Sequence, residues 1–169
     1  MFLTAKTRLE QTDDKGKWLT LDNQLYEDKD GSIYLVPRNY KTDGYTIPCW
    51  IAWLGGSKMD YDTRCSTQHD FECEYAKVIR VNLPEFELKK KRYLILYKDK
   101  WICEDIPIKY LSVEKTTFNQ TNNRFKRMLI ECGSIPRWRV NMMRFAVNFN
   151  LGWHSNKNEI DLKNLYVKK

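Results

Sequence analysis

The segment QLYEDKDGSIYLV at residues 24–36 decides the fold, because it has the pattern of a β-hairpin. Two runs of strand-forming residues, Gln24–Glu27 and Ser32–Val36, flank a turn signal that contains Asp30-Gly31. Glycine supplies the positive φ that tight hairpin turns need. A further run of this kind, Trp18–Leu21, precedes the hairpin. The first third of the chain is therefore predicted to be β-structure.

The first predicted helix covers roughly Thr63 to Ile79, after Asp60 or Asp62 as a cap. Four residues recur on one face of it at helical spacing: Cys65, His69, Cys73 and Ala76. Because the face is otherwise apolar, we expect His69 to point inward.

Two more helices are predicted near the C-terminal end. The second runs from about Asn119 to Cys132, with Gly133 in the C′ position that favours a left-handed residue. The third follows Ser134 and Pro136, which suit a cap and a first helical turn. Its predicted buried stripe is Trp138, Met142, Phe145, Ala146 and Phe149.

Residues 1–169 are predicted to form one α+β domain, with a small antiparallel β-sheet packed on about three helices. Residues 80–116 have the pattern of an inserted β-hairpin, and residues 155–169 that of a polar tail. The insert carries three aromatic side chains that we expect to be exposed for binding: Tyr93, Tyr97 and Trp101.

Composition excludes several classes of protein. With 42% apolar and 30% charged residues, the chain is not disordered. It has no run of about 18 apolar residues and no signal peptide at its start, so we expect no membrane span and a location in a host cytoplasm or a virion. Five cysteines without a C-x-x-C pair predict reduced, mostly buried thiols. No P-loop or Rossmann glycine pattern occurs, and no cofactor is predicted.

The net charge of +7 is unevenly placed, since residues 85–169 carry 18 Lys and Arg against 9 Asp and Glu. Such asymmetry is typical of a surface that binds nucleic acid or another polyanion. A solvated basic face explains the same charge, so a nucleic-acid partner is not favoured. The candidate binding residues on the last two predicted helices are Arg124, Arg127, Arg137 and Arg144.

The densest motif is TDGYTIP at residues 42–48, which is followed by His69-Asp70. Short polar side chains such as Asp43 and Thr46 cap backbone amides in irregular loops, so the motif suits a turn that pins the sheet to the first helix. Alternatively, Asp43 and Asp70 work with His69 in catalysis, because a carboxylate that accepts from an imidazole orients a general base. No G-x-S-x-G or activated cysteine supplies a nucleophile.

The spacing Cys65-x₃-His69-x₃-Cys73 could present two thiolates and an imidazole to zinc. One helix alone rarely completes a tetrahedral site, and buried cysteines on a core-facing stripe explain the same pattern. We therefore predict no metal.

Together, TDGYTIP and His69-Asp70 resemble the phage and prophage family called domain of unknown function 1353, with its T-D-x-x-S-I-P and H-D signature. The resemblance covers residues 33–79 and 118–153. Thr46 keeps the hydroxyl of the usual Ser, whereas Asn122 stands where the family tends to have Asp. The resemblance implies a phage gene and no established activity.

From these features we expect a phage-encoded, non-enzymatic protein that acts through protein–protein contacts, as a virion or tail-associated component. One alternative is a hydrolase of a lysis or entry region that uses His69 with Asp43 and Asp70. Another is a host-takeover inhibitor that binds a host protein such as a replication factor. The expected partner is a phage or host protein, with self-association as the alternative.

Overall fold

The structure is a computed structural model that describes residues 1–3, 8–14, 16–42, 63–82, 104–133, 135–147 and 158–166. Within these residues the chain forms three α-helices and seven β-strands. The predicted α+β class is confirmed.

The strands and helices follow one another in an order that mixes the two types. The strands are β1 (Leu9–Gln11), β2 (Trp18–Thr20), β3 (Gln24–Glu27), β4 (Ile33–Val36), β5 (Lys41–Thr42), β6 (Lys77–Val81) and β7 (Leu111–Lys115). The helices are α1 (Thr63–Tyr75), α2 (Phe118–Cys132) and α3 (Arg137–Val147). Short 3₁₀ turns cover Ile108–Tyr110 and Leu162–Asn164.

The strands form two antiparallel sheets where the sequence predicts one. A three-stranded sheet has the order β1-β2-β5, and a four-stranded sheet has the order β3-β4-β6-β7. The chain changes sheet between β2 and β3, where Asp22 is fixed by two hydrogen bonds of 2.6 Å from the Arg8 guanidinium. This bend was not predicted, because Trp18–Glu27 has strand-forming residues on both sides of it.

The predicted hairpin of residues 24–36 is confirmed. Leu25 pairs with Leu35 and Tyr26 pairs with Tyr34 across β3 and β4. Gly31 has a φ of 82° in the connecting turn, so the glycine occupies the left-handed region that the Asp-Gly signal predicts.

The first helix is shorter than predicted and ends at Tyr75. Ala76 takes a φ of 51°, and Lys77–Val81 then forms the central strand β6. Three of its five residues are β-branched, which suits a strand between two neighbours. The prediction of helix to Ile79 was therefore wrong, because the apolar spacing of a short run fits a helix and a strand equally well.

The predicted insert is also too long at both ends. Its last residues form β7, which pairs with β6 from Lys77↔Lys115 to Val81↔Leu111, so both ends of the segment belong to the four-stranded sheet. The hairpin predicted inside the segment, with Tyr93, Tyr97 and Trp101, lies outside the described residues.

The four-stranded sheet has a hydrophobic core on each face. One core contains Leu25, Leu35 and Ile79 together with Phe71 of α1. The C-terminal segment covers this core through Ile160, Leu162 and Leu165, so this part of the chain is not the polar tail that its composition predicts.

The second core joins the opposite sheet face to α2 and α3. Tyr26, Tyr34 and Val78 of the sheet pack with the predicted stripe of α2, in which Phe125, Met128 and Leu129 are buried. Helix α2 begins with a capping box of Thr117 and Gln120, and ends at Gly133 with a φ of 63° as predicted.

A buried ion pair joins α1 to α2 inside this core. The Glu72 carboxylate is fully buried, and it accepts a hydrogen bond from the Arg124 guanidinium. Thr121 and Gln68 donate to the same carboxylate at 2.9 and 3.0 Å. Burial raises the pKa of Glu72, whereas Arg124 and the two neutral donors act in the opposite direction. Every one of these donors helps to offset the cost of removing the charge from water.

The ion pair continues to the β3–β4 turn. Arg127 donates to the two Asp28 carboxylate oxygens at 3.1 and 2.5 Å, and the Arg124 Nε lies 3.8 Å from Asp28 Oδ2. Although burial raises it, the hydrogen bonds from Arg127 bring the pKa of Asp28 below its ordinary value. The Arg124 guanidinium also lies 4.1 Å above the centre of the Tyr34 ring. Two carboxylates and two guanidinium groups therefore connect α1, α2 and the sheet.

Substitution Arg124→Met is expected to lower the free energy of unfolding by about 3–5 kcal/mol, because it leaves the Glu72 carboxylate buried without its cation. Lys126→Met, a matched loss of one cation on the same helix, is expected to change it by less than about 0.5 kcal/mol. Denaturant unfolding at neutral pH measures both. Equal costs for the two variants would show that the buried pair does not hold the helices together.

Candidate functional site

The start of the TDGYTIP motif contacts the His69-Asp70 helix. Thr42 is buried at the end of β5, and its hydroxyl donates to Asp70 Oδ2 at 2.6 Å. Asp43 and Thr46 lie outside the described residues, so the predicted pairing of Asp43 with His69 stays a prediction. The hydrogen bond between Thr42 and Asp70 ties the small sheet to α1, which is the structural role that the motif suggested.

The His69 side chain extends from α1 toward α2. Its Nε2 is 3.0 Å from the Oδ1 atom of Asn122, and its ring centre is 4.5 Å from that of Phe125. Since an amide oxygen only accepts, this contact places the imidazole proton on Nε2. His69 and Asp70 therefore meet different neighbours, as consecutive helical positions require.

Cys73 lies beside the His69 ring, one helical turn further along α1. Its Sγ is 3.8 Å from Nδ1 and 3.6 Å from Nε2. Nearly equal distances to the two nitrogens place the sulfur out of line with either of them, whereas proton transfer from a nucleophile needs an aligned hydrogen bond. Burial also raises the pKa of the Cys73 thiol, so it stays protonated at neutral pH.

These three side chains have the residue types of a Cys-His-Asn catalytic triad without its geometry. Burial lowers the pKa of His69 below 6.5, an effect that the Asn122 hydrogen bond opposes, so the ring is neutral at pH 7. Asn122 is itself buried. The arrangement is best suited to joining α1 to α2 through a hydrogen bond and a stacked ring.

The four candidate binding arginines occupy different environments. Arg124 is buried on Glu72, and the half-buried Arg127 is paired with Asp28. Arg144 donates to Asn123 at 3.1 Å on the outer side of the α2–α3 pair. Arg137 is exposed at the start of α3. Arg137 and Arg144 both belong to α3, and Arg137 is the most exposed of the four arginines, whereas Arg124 is enclosed.

Helix α3 turns a different face inward from the predicted one. Val140 is buried, and Met143 and Val147 pack on the same core. Trp138 is 52% exposed and Phe145 is 55% exposed, so the prediction that they are buried was wrong. The predicted stripe and the observed one have the same helical spacing. The prediction chose the stripe with the large aromatic residues, because such residues are usually buried. The sequence signal that indicates the exposed pair is the composition of the helix, which has three Arg and no Lys, Asp or Glu beside its aromatic residues.

The described residues contain neither a metal-binding cluster nor a membrane-spanning helix. Among them, no group of three His, Cys, Asp or Glu side chains could hold a metal ion. Cys65 and Cys73, which the zinc pattern would combine, contact Cys132 and His69 respectively. In the same part of the chain, no helix is long and apolar enough to span a membrane.

No protein-family model matches the chain, and neither a curated protein nor a solved structure shows significant similarity to it. The resemblance to domain of unknown function 1353 therefore stays a prediction that rests on the quoted motifs.

Substitutions His69→Ala and Asn122→Ala are each expected to lower the free energy of unfolding by about 1–3 kcal/mol, because each leaves a polar group without its partner. The double variant is expected to lose less than the sum, since both changes remove one shared hydrogen bond. Denaturant unfolding of the two single variants and the double variant gives the coupling free energy between His69 and Asn122. An unchanged stability of His69→Ala together with lost biological activity would instead indicate catalysis.

The lowered pKa of His69 also predicts a pH dependence of stability. The unfolded chain binds the proton at an ordinary pKa of about 6.5, and the folded protein binds it only at lower pH. The stability that comes from a neutral His69 is therefore fully present above about pH 6.5, and it is lost as the pH falls through the folded pKa. Relative to wild type, His69→Gln is expected to lose less stability between about pH 7 and 5. Parallel pH profiles of the two proteins would contradict this assignment.

Proposed function

We propose that this protein is a non-enzymatic binding protein that docks an acidic protein partner on the exposed face of α3. The observation that carries the proposal is the exposure of Trp138 and Phe145 beside the arginines of the same helix. We call the surface formed by Arg137, Trp138, Asn141, Arg144 and Phe145 the α3 face.

The two aromatic rings of the α3 face lie on one side of the helix. Trp138 and Phe145 are seven residues apart, which is about two helical turns and roughly 10 Å along the axis. Asn141 lies between them and is exposed. A side chain of a partner can therefore fit between the two exposed rings. The helix that carries them is fixed to the core by Val140.

The composition of α3 differs from that of the chain. The chain contains 19 Lys and 10 Arg, whereas α3 contains three Arg and no Lys, Asp or Glu. Protein–protein interfaces are enriched in aromatic residues, Met and Arg, and depleted of Lys, Glu and Asp. Trp and Arg also dominate among the residues whose loss weakens binding most. The helix sequence RWRVNMMRFAV thus has the composition of an interface.

Charge indicates the chemistry of the partner. The α3 helix has no acidic residue, and its arginines make it positive throughout. The half of the chain that contains it has 18 basic against 9 acidic residues. A partner with carboxylates around an apolar patch complements such a surface. A second copy docked through the same helix would bring like charges together, which argues against self-association there.

The phage setting rests on the TDGYTIP and His69-Asp70 resemblance. In that setting the partner is another virion or tail component, in line with the leading expectation from the sequence. A host protein is the alternative. The neutral, packed His69 supports a binding role over the hydrolase hypothesis, because the described contacts of this residue hold α1 to α2.

Photo-crosslinking in phage-infected cells identifies the partner. A photoreactive amino acid at Asn141 reports on the α3 face, and one at Ile130, which is 44% exposed on α2, is the matched control. We expect one acidic protein to be captured from position 141 and not from 130, and to be present with this chain in purified virions. Capture of nucleic acid alone, or equal capture from both positions, would overturn the proposal.

Affinity measurements with the purified partner then test the two rings. Trp138→Ala and Phe145→Ala are each expected to weaken binding by about tenfold or more, as for central interface aromatics. Ile130→Ala is expected to leave the dissociation constant within about twofold. The melting temperatures of all three variants should stay close to that of wild type, because more than two-fifths of each substituted residue is exposed. An unchanged affinity in both aromatic variants would place the interface elsewhere.

A further inference from the structure

Two cysteine side chains meet between α1 and α2. The Sγ atoms of Cys65 and Cys132 are 3.4 Å apart, although 67 positions separate them in the sequence. Cys65 is fully buried near the start of α1, and Cys132 is half-buried as the last residue of α2. Neither of these two cysteines is part of a disulfide. The two sulfurs need to approach by only about a further 1.4 Å to reach a disulfide length of about 2.05 Å.

We propose that Cys65 and Cys132 are an oxidative modification site that a peroxide converts into a disulfide. Cys132 is the residue that the oxidant reaches, because it is the more exposed of the two. Cys65 is the resolving residue, because it lies against Cys132 and is shielded from solvent. Cys73 takes no part, since its Sγ contacts the His69 ring.

The reaction balances with one molecule of hydrogen peroxide. The deprotonated sulfur of Cys132 attacks one peroxide oxygen, the O–O bond breaks, and hydroxide leaves to become water, which gives a sulfenic acid on Cys132. The sulfur of Cys65 then attacks the Cys132 sulfur, the S–O bond breaks, and the departing hydroxide takes the Cys65 proton. Two thiols are oxidised to one disulfide, and both peroxide oxygens are reduced to water.

The bond would cross-link the two helices that the Glu72–Arg124 pair and the His69–Asn122 contact already join. Because it closes a long loop of the unfolded chain, it is expected to stabilise the folded state. It also fixes the residue before Gly133, where the chain leaves α2 and turns toward α3. Oxidation would thus hold the base of α3 in one position.

Peptide mapping and thermal unfolding of the peroxide-treated protein test the proposal. We expect a Cys65–Cys132 cross-linked peptide under non-reducing conditions, and a rise of the melting temperature by about 5–10 °C that dithiothreitol reverses. Cys132→Ser is expected to lose both effects, and Cys73→Ser to keep both. In Cys65→Ala, peroxide should leave a sulfenic acid on Cys132 that a dione reagent traps. Should this variant fail to fold, Cys132→Ser and Cys73→Ser carry the test.

Three results would overturn the proposal. One is wild-type protein in which Cys132 accumulates as sulfenic or sulfinic acid without a cross-link. Another is a disulfide that joins Cys132 to a cysteine other than Cys65, within the chain or between two chains. The third is a Cys65–Cys132 cross-link that leaves the melting temperature unchanged, because a bond that fits the folded geometry restricts the unfolded chain alone and is expected to raise it.

Discussion

The buried Glu72 carboxylate is the constraint on which the rest of the structure depends. An ionised group in a protein interior needs a cation and further donors in fixed positions, and here they come from two helices. Arg124 supplies the cation from α2, and its guanidinium also reaches the Tyr34 ring and the Asp28 carboxylate of the sheet. The observed placement of α1, α2 and the β3–β4 hairpin satisfies all of these contacts at once. The His69–Asn122 contact and the Cys65–Cys132 contact lie on the same two helices and depend on the same placement.

The features that could be predicted from the sequence are those with local causes. The β3–β4 hairpin follows from the Asp-Gly turn and its flanking strand-forming residues, and the end of α2 follows from Gly133. The inward direction of His69 followed from the helical spacing of Cys65 and Cys73, and its contact with α2 bears this out. The buried ion pair could not be predicted, because Glu72 and Arg124 are far apart in the sequence and each resembles an ordinary surface charge until the helices pack.

Two of the incorrect predictions have one physical reason, which is that the spacing of apolar residues determines neither the type of element nor the side that is buried. Lys77–Val81 fits the end of a helix as well as a strand, and the left-handed residue Ala76 that separates the two elements has no sequence signal. The α3 helix has two stripes of the same spacing. Val140, Met143 and Val147 form the one that packs on the core containing Met128 and Leu129. Trp138 and Phe145 belong to the other stripe and are exposed.

Strand β4 has a consequence for how this protein can change in evolution. All four residues of Ile33–Val36 are buried. The two faces of the strand pack on the two different cores, and β3 and β6 pair with its two edges. Antiparallel strands commonly keep one face in water, where polar substitutions are tolerated. This strand has no such face, so neutral drift is confined to swaps among apolar residues of similar volume. Substitutions are expected to accumulate instead at the exposed positions of β7 and on the solvent side of α2. The sequences of related chains should therefore be most similar in the interior strands and least similar at these exposed positions.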